Sequence, residues 1–63
     1  MKTVEDLIKE FNPRVVSTIS YNNGKYVKVE YGNYEVDELL QILDFKVFAY
    51  QWFENEQLLV LSI

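Results

Sequence analysis

The apolar residues of this chain follow a pattern that recurs after 32 positions, without a gap, between the two halves of the sequence. In each half an amphipathic helical stripe precedes two segments with the composition of strands. Only four of the 28 aligned pairs are identical, so the repeat is visible in the order of elements and not in residue identity. We therefore predict one small domain, residues 1–63, built from αββ repeats at 4–31 and 36–63.

The first repeat contains local signals for a helix and a hairpin. Thr3 precedes an apolar stripe with helical spacing and forms, with Asp6, a pattern similar to a capping box. Pro13 is expected to end this helix, because the residue before a proline avoids the α region. Two segments rich in β-branched residues then flank a turn sequence that ends at Gly24, as in a β-hairpin.

The second repeat shows the same order of elements. Strand-like segments at 46–53 and 57–63 flank the polar turn 54–56. The sequence therefore predicts an α+β fold in the order αββαββ, with one four-stranded antiparallel sheet, both helices on one face and an approximate internal two-fold axis. The second helix is predicted from the stripe formed by Val36, Leu39, Leu40 and Leu43.

Cysteine and histidine are both absent from the sequence. A disulfide framework and a thiolate metal site are therefore excluded. The residue that most often serves as a general base or a zinc ligand is also missing. Apolar residues make up 49% of the chain, so the domain has to be held together by its hydrophobic core.

Acidic residues form one cluster, Glu35 with Asp37 and Glu38, at the start of the second helical stripe. Carboxylates there complement the helix dipole, and this role is favoured over acid–base catalysis. Glu54 and Glu56 are too few for a calcium loop, and two glycines do not make a phosphate-binding loop. We therefore predict a non-enzymatic protein with no catalytic residues, no metal, no cofactor and no small-molecule substrate.

The net charge of −4 is distributed unevenly along the chain. Residues 1–32 carry five basic and four acidic side chains, whereas residues 33–63 carry one basic and six acidic side chains. An acidic chain without a basic stripe is a poor ligand for phosphate backbones, so nucleic acid is not the expected partner. The acidity is typical of a soluble surface, although an acidic face could also mimic nucleic acid on a basic partner.

Two registers compete for the first hairpin. A two-residue turn pairs Tyr21 with Tyr26. A three-residue turn, with Gly24 as a bulge, pairs Ile19 with Val27. The second register is favoured because it separates apolar from polar residues more cleanly, and that pattern sets register where one face is buried. It directs toward the helices Val15, Ile19, Tyr21, Val27, Val29 and Tyr31.

The same alternation gives the second hairpin two apolar faces. One face, with Gln51 as a misfit, is directed toward the helices and consists of Val47, Ala49, Phe53, Leu59, Leu61 and Ile63. The opposite face is apolar as well, and monomers rarely expose a large contiguous apolar patch. We therefore predict that it binds a partner, with Trp52 as the expected hot spot. The predicted partner-binding residues are Phe48, Tyr50, Trp52, Leu58 and Val60.

These features favour a small protein-interaction, regulatory or inhibitor protein that forms a homodimer through the outer face of the second hairpin. A single-stranded nucleic-acid-binding module that stacks bases on sheet aromatics is the first alternative. The second alternative is the acidic mimic that docks on a basic partner.

The sequence contains no apolar run of the roughly 20 residues needed to cross a bilayer. The segment after Met1 is amphipathic and lacks the apolar stretch of a signal peptide. We therefore expect a cytoplasmic protein that does not engage a membrane.

Overall fold

Six elements follow one another in a computed structural model that describes residues 1–32 and 37–63. The fold is α+β, as predicted, but α1 is the one helix of more than a single turn among the described residues. The elements are α1 (Val4–Phe11), β1 (Val15–Asn22), β2 (Lys25–Tyr31), α2 (Asp37–Leu40), β3 (Ala49–Phe53) and β4 (Leu58–Ser62).

Helix α1 begins at the predicted capping box. The Asp6 backbone N–H donates to Thr3 Oγ1 at 3.2 Å, and the Thr3 backbone N–H donates to the Asp6 carboxylate at 3.0 Å. Hydrogen bonding to the Asp6 carboxylate, first from the Thr3 backbone N–H and then from the Thr3 side chain, holds the pKa of Asp6 below its ordinary value. At the other end, Asn12 adopts a left-handed conformation and its N–H donates to the Ile8 carbonyl at 2.8 Å, just before Pro13.

The N-terminal residues are joined to the segment that precedes β3. Thr3 and Lys46 form an isolated antiparallel bridge, and the Val47 N–H donates to the Lys2 carbonyl at 2.9 Å. Lys46 and Val47 therefore pair with the N-terminus, and β3 begins later than predicted, at Ala49.

The sheet is mixed, and the predicted antiparallel sheet is wrong. The strand order is β2-β1-β4-β3, with antiparallel pairs at both sides and the parallel pair β1·β4 at the centre. Strands β1 and β4 carry no charged residue, and β4 is aliphatic at four of its five positions. These strands occupy the centre because central strands lose both edges to neighbours and at least one face to the core.

This strand order also bears on the predicted two-fold axis. The two central strands, β1 and β4, occupy different positions in the αββ repeats, first strand and second strand respectively. A two-fold axis through the centre of the sheet would exchange β1 with β4, which are not equivalent strands. The symmetry of the predicted repeat is therefore not that of the sheet, and the duplication itself stays a prediction.

The first hairpin adopts the two-residue turn, so the favoured three-residue register is wrong. Tyr21 pairs with Tyr26, and Asn23 and Gly24 both have positive φ, 53° and 77°, as a type I′ turn requires. The turn decides the register because its twist matches that of the strands. The side chains of β1 consequently point the opposite way from the prediction, and Val16 and Thr18 are buried beneath the helix.

The second hairpin is closed by the turn 54–57, which is one residue longer than predicted. The Gln57 N–H donates to the Glu54 carbonyl at 3.1 Å, and Gln57 adopts a left-handed φ of 50°. Trp52 pairs with Leu59, and Tyr50 with Leu61. Since paired residues of antiparallel strands share a face, β3 presents to the helix the face that the sequence pattern assigned to the outside.

The predicted second helix is reduced to the single turn α2. Beyond it the chain forms tighter turns, in which the Ile42 N–H donates to the Leu39 carbonyl at 3.1 Å and the Phe45 N–H to the Ile42 carbonyl at 3.0 Å. Leu39 nevertheless joins the core, as the apolar stripe predicts, whereas Leu40 is exposed. The predicted helical stripe included Val36, and the predicted acidic cluster included Glu35. Both residues lie outside the described residues.

The core lies between α1 and one face of the sheet, here called the helix side. It includes three residues that were predicted to face the helices, Leu59 and Leu61 in β4 and Val47 in the segment before β3. Around it pack half-buried side chains, among them Phe11, Tyr31 and Trp52. The buried apolar residues are Val4, Leu7, Val16, Leu39, Val47, Leu59 and Leu61.

Candidate interaction surface

The five residues predicted to bind a partner do not share a face. Tyr50 and Trp52 lie on the helix side, since they pair with the buried residues Leu61 and Leu59. Leu58 and Val60 alternate with these leucines along β4 and therefore lie on the opposite face of the sheet. Phe48 precedes β3 and is 73% exposed. The predicted arrangement of all five in one patch is wrong.

The helix-side aromatics of β3 form a cluster with α1. The Phe11 ring stacks on Trp52 with centroids 5.1 Å apart and lies 5.6 Å from the Tyr50 ring at a tilted angle. These separations are those of favourable aromatic pairs. Trp52 therefore anchors the helix to β3, and truncating it would damage the fold instead of reporting on an interface.

The opposite face of the sheet lies away from the core. Val15, Ile19, Leu58 and Val60 point to it and are half-buried, yet none belongs to the apolar core or packs against it. Two of these residues, Ile19 and Val60, contribute to a shallow depression. Its lining consists of Ile19, Ala49, Tyr50, Gln51, Val60 and Ser62. Among the described residues, the helices pack only on the other side, so this face is open.

The open face has a charged half and an uncharged half. On the first hairpin it carries Lys28 and Glu30, both exposed, beside the exposed rings of Tyr21 and Tyr26. On the second hairpin it carries no ionisable side chain. We call this half the uncharged outer face; its residues are Ala49, Gln51, Phe53, Leu58, Val60 and Ser62.

Gln51 was the sequence signal for the true orientation of β3. The sequence pattern placed this amide as a misfit on the helix side. In the structure it is exposed on the uncharged outer face, and the aromatic residues on either side of it face the helix. A buried amide without partners would have cost free energy, so the misfit itself argued for the opposite orientation.

The open face also covers a buried hydroxyl. Ser17 is 1% exposed, and its Oγ has no hydrogen-bond partner among the described residues. Its neighbours across the strands are Val60 and Glu30, both of which have larger side chains. An unpaired buried hydroxyl is unfavourable, so Ser17 is a position where the sheet has not been optimised for stability.

The two edge strands differ in charge. The sequence of β2 contains Lys25, Lys28 and Glu30, and such charges protect an edge from pairing with another chain. The sequence of β3, Ala-Tyr-Gln-Trp-Phe, contains neither a charge nor a proline. β3 pairs with β4 on one side, and in the described part of the chain no strand pairs with its other edge.

Charges near the helix are confined to its exposed side. Lys2 forms an ion pair with Glu10, which raises the pKa of Lys2, and Lys9 lies 3.8 Å from Glu5. Within residues 1–32 and 37–63, no group of three acidic side chains is placed to hold a metal ion. The described helices are too short and too polar for any of them to cross a membrane.

Comparison with known proteins gives no relative: no family model, no curated protein and no solved structure matches this chain.

Proposed function

We propose that this chain is a non-enzymatic interaction protein that acts by self-association through its second hairpin, β3–β4. The observation that carries the proposal is the uncharged outer face, which is apolar, open and separate from the core. Phe53 and Ala49 are exposed there, beside half-buried Leu58 and Val60. An apolar surface of this kind gains free energy when a partner removes it from water.

The charge distribution supports a second copy as the partner. Two copies of a chain with a net charge of −4 repel each other, so a contact between them meets the least electrostatic opposition where charges are absent. The uncharged outer face meets this condition. Glu54 and Glu56 lie in the turn at the end of the hairpin, where water can solvate them at the rim of a contact.

A pair of matched variants tests the proposal. Phe53→Ser removes an exposed aromatic ring from the second hairpin, and Tyr26→Ser removes one from the first hairpin. We expect Phe53→Ser to weaken the dimer roughly thirtyfold, as loss of an interface anchor does, and Tyr26→Ser to leave the dissociation constant within about threefold. Sedimentation equilibrium measures both constants. Equal effects of the two variants would contradict the assignment to the second hairpin.

Single-stranded nucleic acid is the second candidate, and one observation favours it. The rings of Tyr21 and Tyr26 meet edge to face with centroids 4.8 Å apart, on the same face as the ammonium group of Lys28. Aromatic rings next to cations can stack bases. Fluorescence anisotropy with a labelled oligonucleotide distinguishes the candidates, because binding through phosphates weakens steeply between about 50 and 200 mM salt. Tight, salt-sensitive binding would favour this candidate over self-association.

A further inference from the structure

Strand β3 is an accessible edge. Ala49, Gln51 and Phe53 are exposed on the outer face, and Tyr50 is 47% exposed on the helix side although it contacts Phe11. Edge strands present unpaired N–H and C=O groups to any chain that can align with them. Lys46 and Val47, which precede β3, are joined to Lys2 and Thr3. Within the described residues no strand pairs with the free edge of Ala49–Phe53 itself, and its side chains carry no charge that would oppose pairing.

We propose that two copies of this chain join edge to edge, with β3 of one copy antiparallel to β3 of the other about a two-fold axis at Gln51. The result is one continuous eight-stranded sheet with both α1 helices on the same side. This inference rests on the proposed self-association through the second hairpin, and it places the contact at the edge of β3 instead of on the uncharged outer face. Two-fold pairing of a strand with itself requires that its sequence be complementary to its own reverse.

The sequence of β3 meets that requirement at every position. With Gln51 on the axis, Ala49 of one copy lies opposite Phe53 of the other, so that a small side chain faces a large one on the outer face. Tyr50 lies opposite Trp52 on the helix side, and aromatic cross-strand pairs are favourable. Gln51 lies opposite itself, where two amides can exchange hydrogen bonds.

The other edge strand fails the same test. The central residue of β2 is Lys28, and antiparallel self-pairing about it would place two ammonium groups directly opposite each other. Like charges in this position are destabilising. Only one of the two edges is therefore suited to self-pairing, and it belongs to the hairpin with the uncharged outer face.

Charge variants at the axis test the register of the contact. Gln51→Lys or Gln51→Glu alone places like charges opposite each other, so each variant is expected to weaken the dimer at least tenfold. An equimolar mixture places Lys opposite Glu and should restore a heterodimer of wild-type affinity or better. Gln51 is exposed, so neither substitution disturbs the core. Lys28→Glu on β2 is the control and should leave the dimer unchanged.

The outcomes separate this inference from the proposed function. If the chain dimerises but each single Gln51 variant dimerises equally well, edge pairing about Gln51 is wrong. A contact on the second hairpin that does not include Gln51 then remains. If the single variants are monomeric and their mixture is too, the axis does not pass through this residue and the inference fails. A wild-type chain that stays monomeric overturns both proposals.

A disulfide gives an independent readout of the same geometry. The chain has no cysteine, so one introduced thiol can react only with its copy in another molecule. Directly opposed residues of antiparallel strands have Cα atoms about 4.5–5.5 Å apart, which lies within the range that a disulfide spans. Gln51→Cys should cross-link fully under mild oxidation, and Lys28→Cys should not. Equal rates of cross-linking would overturn the edge contact.

Discussion

The two hairpins have similar apolar patterns in the sequence but take different roles in the fold. The first closes with two residues and has Gly24 at a φ of 77°, whereas the second closes with four and has Gln57 at a φ of 50°. The first ends in the exposed, charged edge strand β2, whereas the second places β4 at the centre of the sheet. Two halves with the same αββ pattern therefore do not occupy equivalent positions in the sheet. Their positions depend on turn geometry and on pairing between strands that are distant in the sequence.

The largest expected difference between the hairpins is in their contribution to stability. Leu59 in β4 is fully buried, and Val27 in β2 is 40% exposed. Leu59→Ala should lower the free energy of unfolding by about 3 kcal/mol, because it leaves a cavity in the core. Val27→Ala should cost less than about 1 kcal/mol. Urea denaturation measures both values; similar losses would mean that the two hairpins contribute equally to the core.

The turns should respond in opposite directions to substitution. Gly24→Ala places a Cβ at positive φ, and it should lower the free energy of unfolding by about 1 kcal/mol. Gln57→Gly relieves the same strain in the second hairpin and should raise stability by about 0.5 kcal/mol. Thermal unfolding followed by circular dichroism tests both; a destabilised Gln57→Gly would show that the second turn stores no strain.

At position 17, the residue of the first predicted repeat can be replaced by its counterpart from the second. Ser17 aligns with Ala49 in the second half, and its buried hydroxyl lacks a partner among the described residues. Ser17→Ala should leave the free energy of unfolding unchanged or raise it by up to about 1 kcal/mol, because it removes a polar atom that burial penalises. A loss of more than about 1 kcal/mol in urea denaturation would show that the hydroxyl makes a stabilising hydrogen bond.

The smallest expected effect concerns the capping box at the start of α1. Hydrogen bonding to Thr3 lowers the pKa of Asp6, so the ionised carboxylate stabilises the folded chain. This contribution is complete above the ordinary pKa near 3.8 and is lost as the pH falls through the lower folded-state value. Asp6→Asn should lack this acid-dependent loss. Stability measured between about pH 5 and 2 should therefore fall less in the variant, and parallel curves would contradict the capping role.

Local signals predicted the first helix and the position of the first turn, although the favoured register of that turn was wrong. Thr3 and Asp6 specify the start of α1, Pro13 its end, and the Asn-Gly pair a two-residue turn among the alternatives. These features depend on interactions between residues that are no more than four positions apart, and such interactions can be predicted from the local sequence.

The predictions of strand pairing and of the faces of β3 were wrong because these features depend on more than the local sequence pattern. The parallel pairing of β1 with β4 joins segments some 40 positions apart, and no local pattern specifies it. The faces of β3 depend on the extra turn residue Gln57, since a shift of one position moves every side chain to the other face. The candidate interaction surface was predicted on the second hairpin, and this stays a prediction. Two of its five residues, Tyr50 and Trp52, instead belong to the cluster around Phe11.

Sedimentation equilibrium of the unmodified chain at tens of micromolar tests most directly the claim that the second hairpin joins two copies. The account predicts a species of about 15 kDa, twice the 7.5 kDa mass of one chain, that dissociates on dilution. A single 7.5 kDa species that persists as the concentration rises to the millimolar range would contradict it.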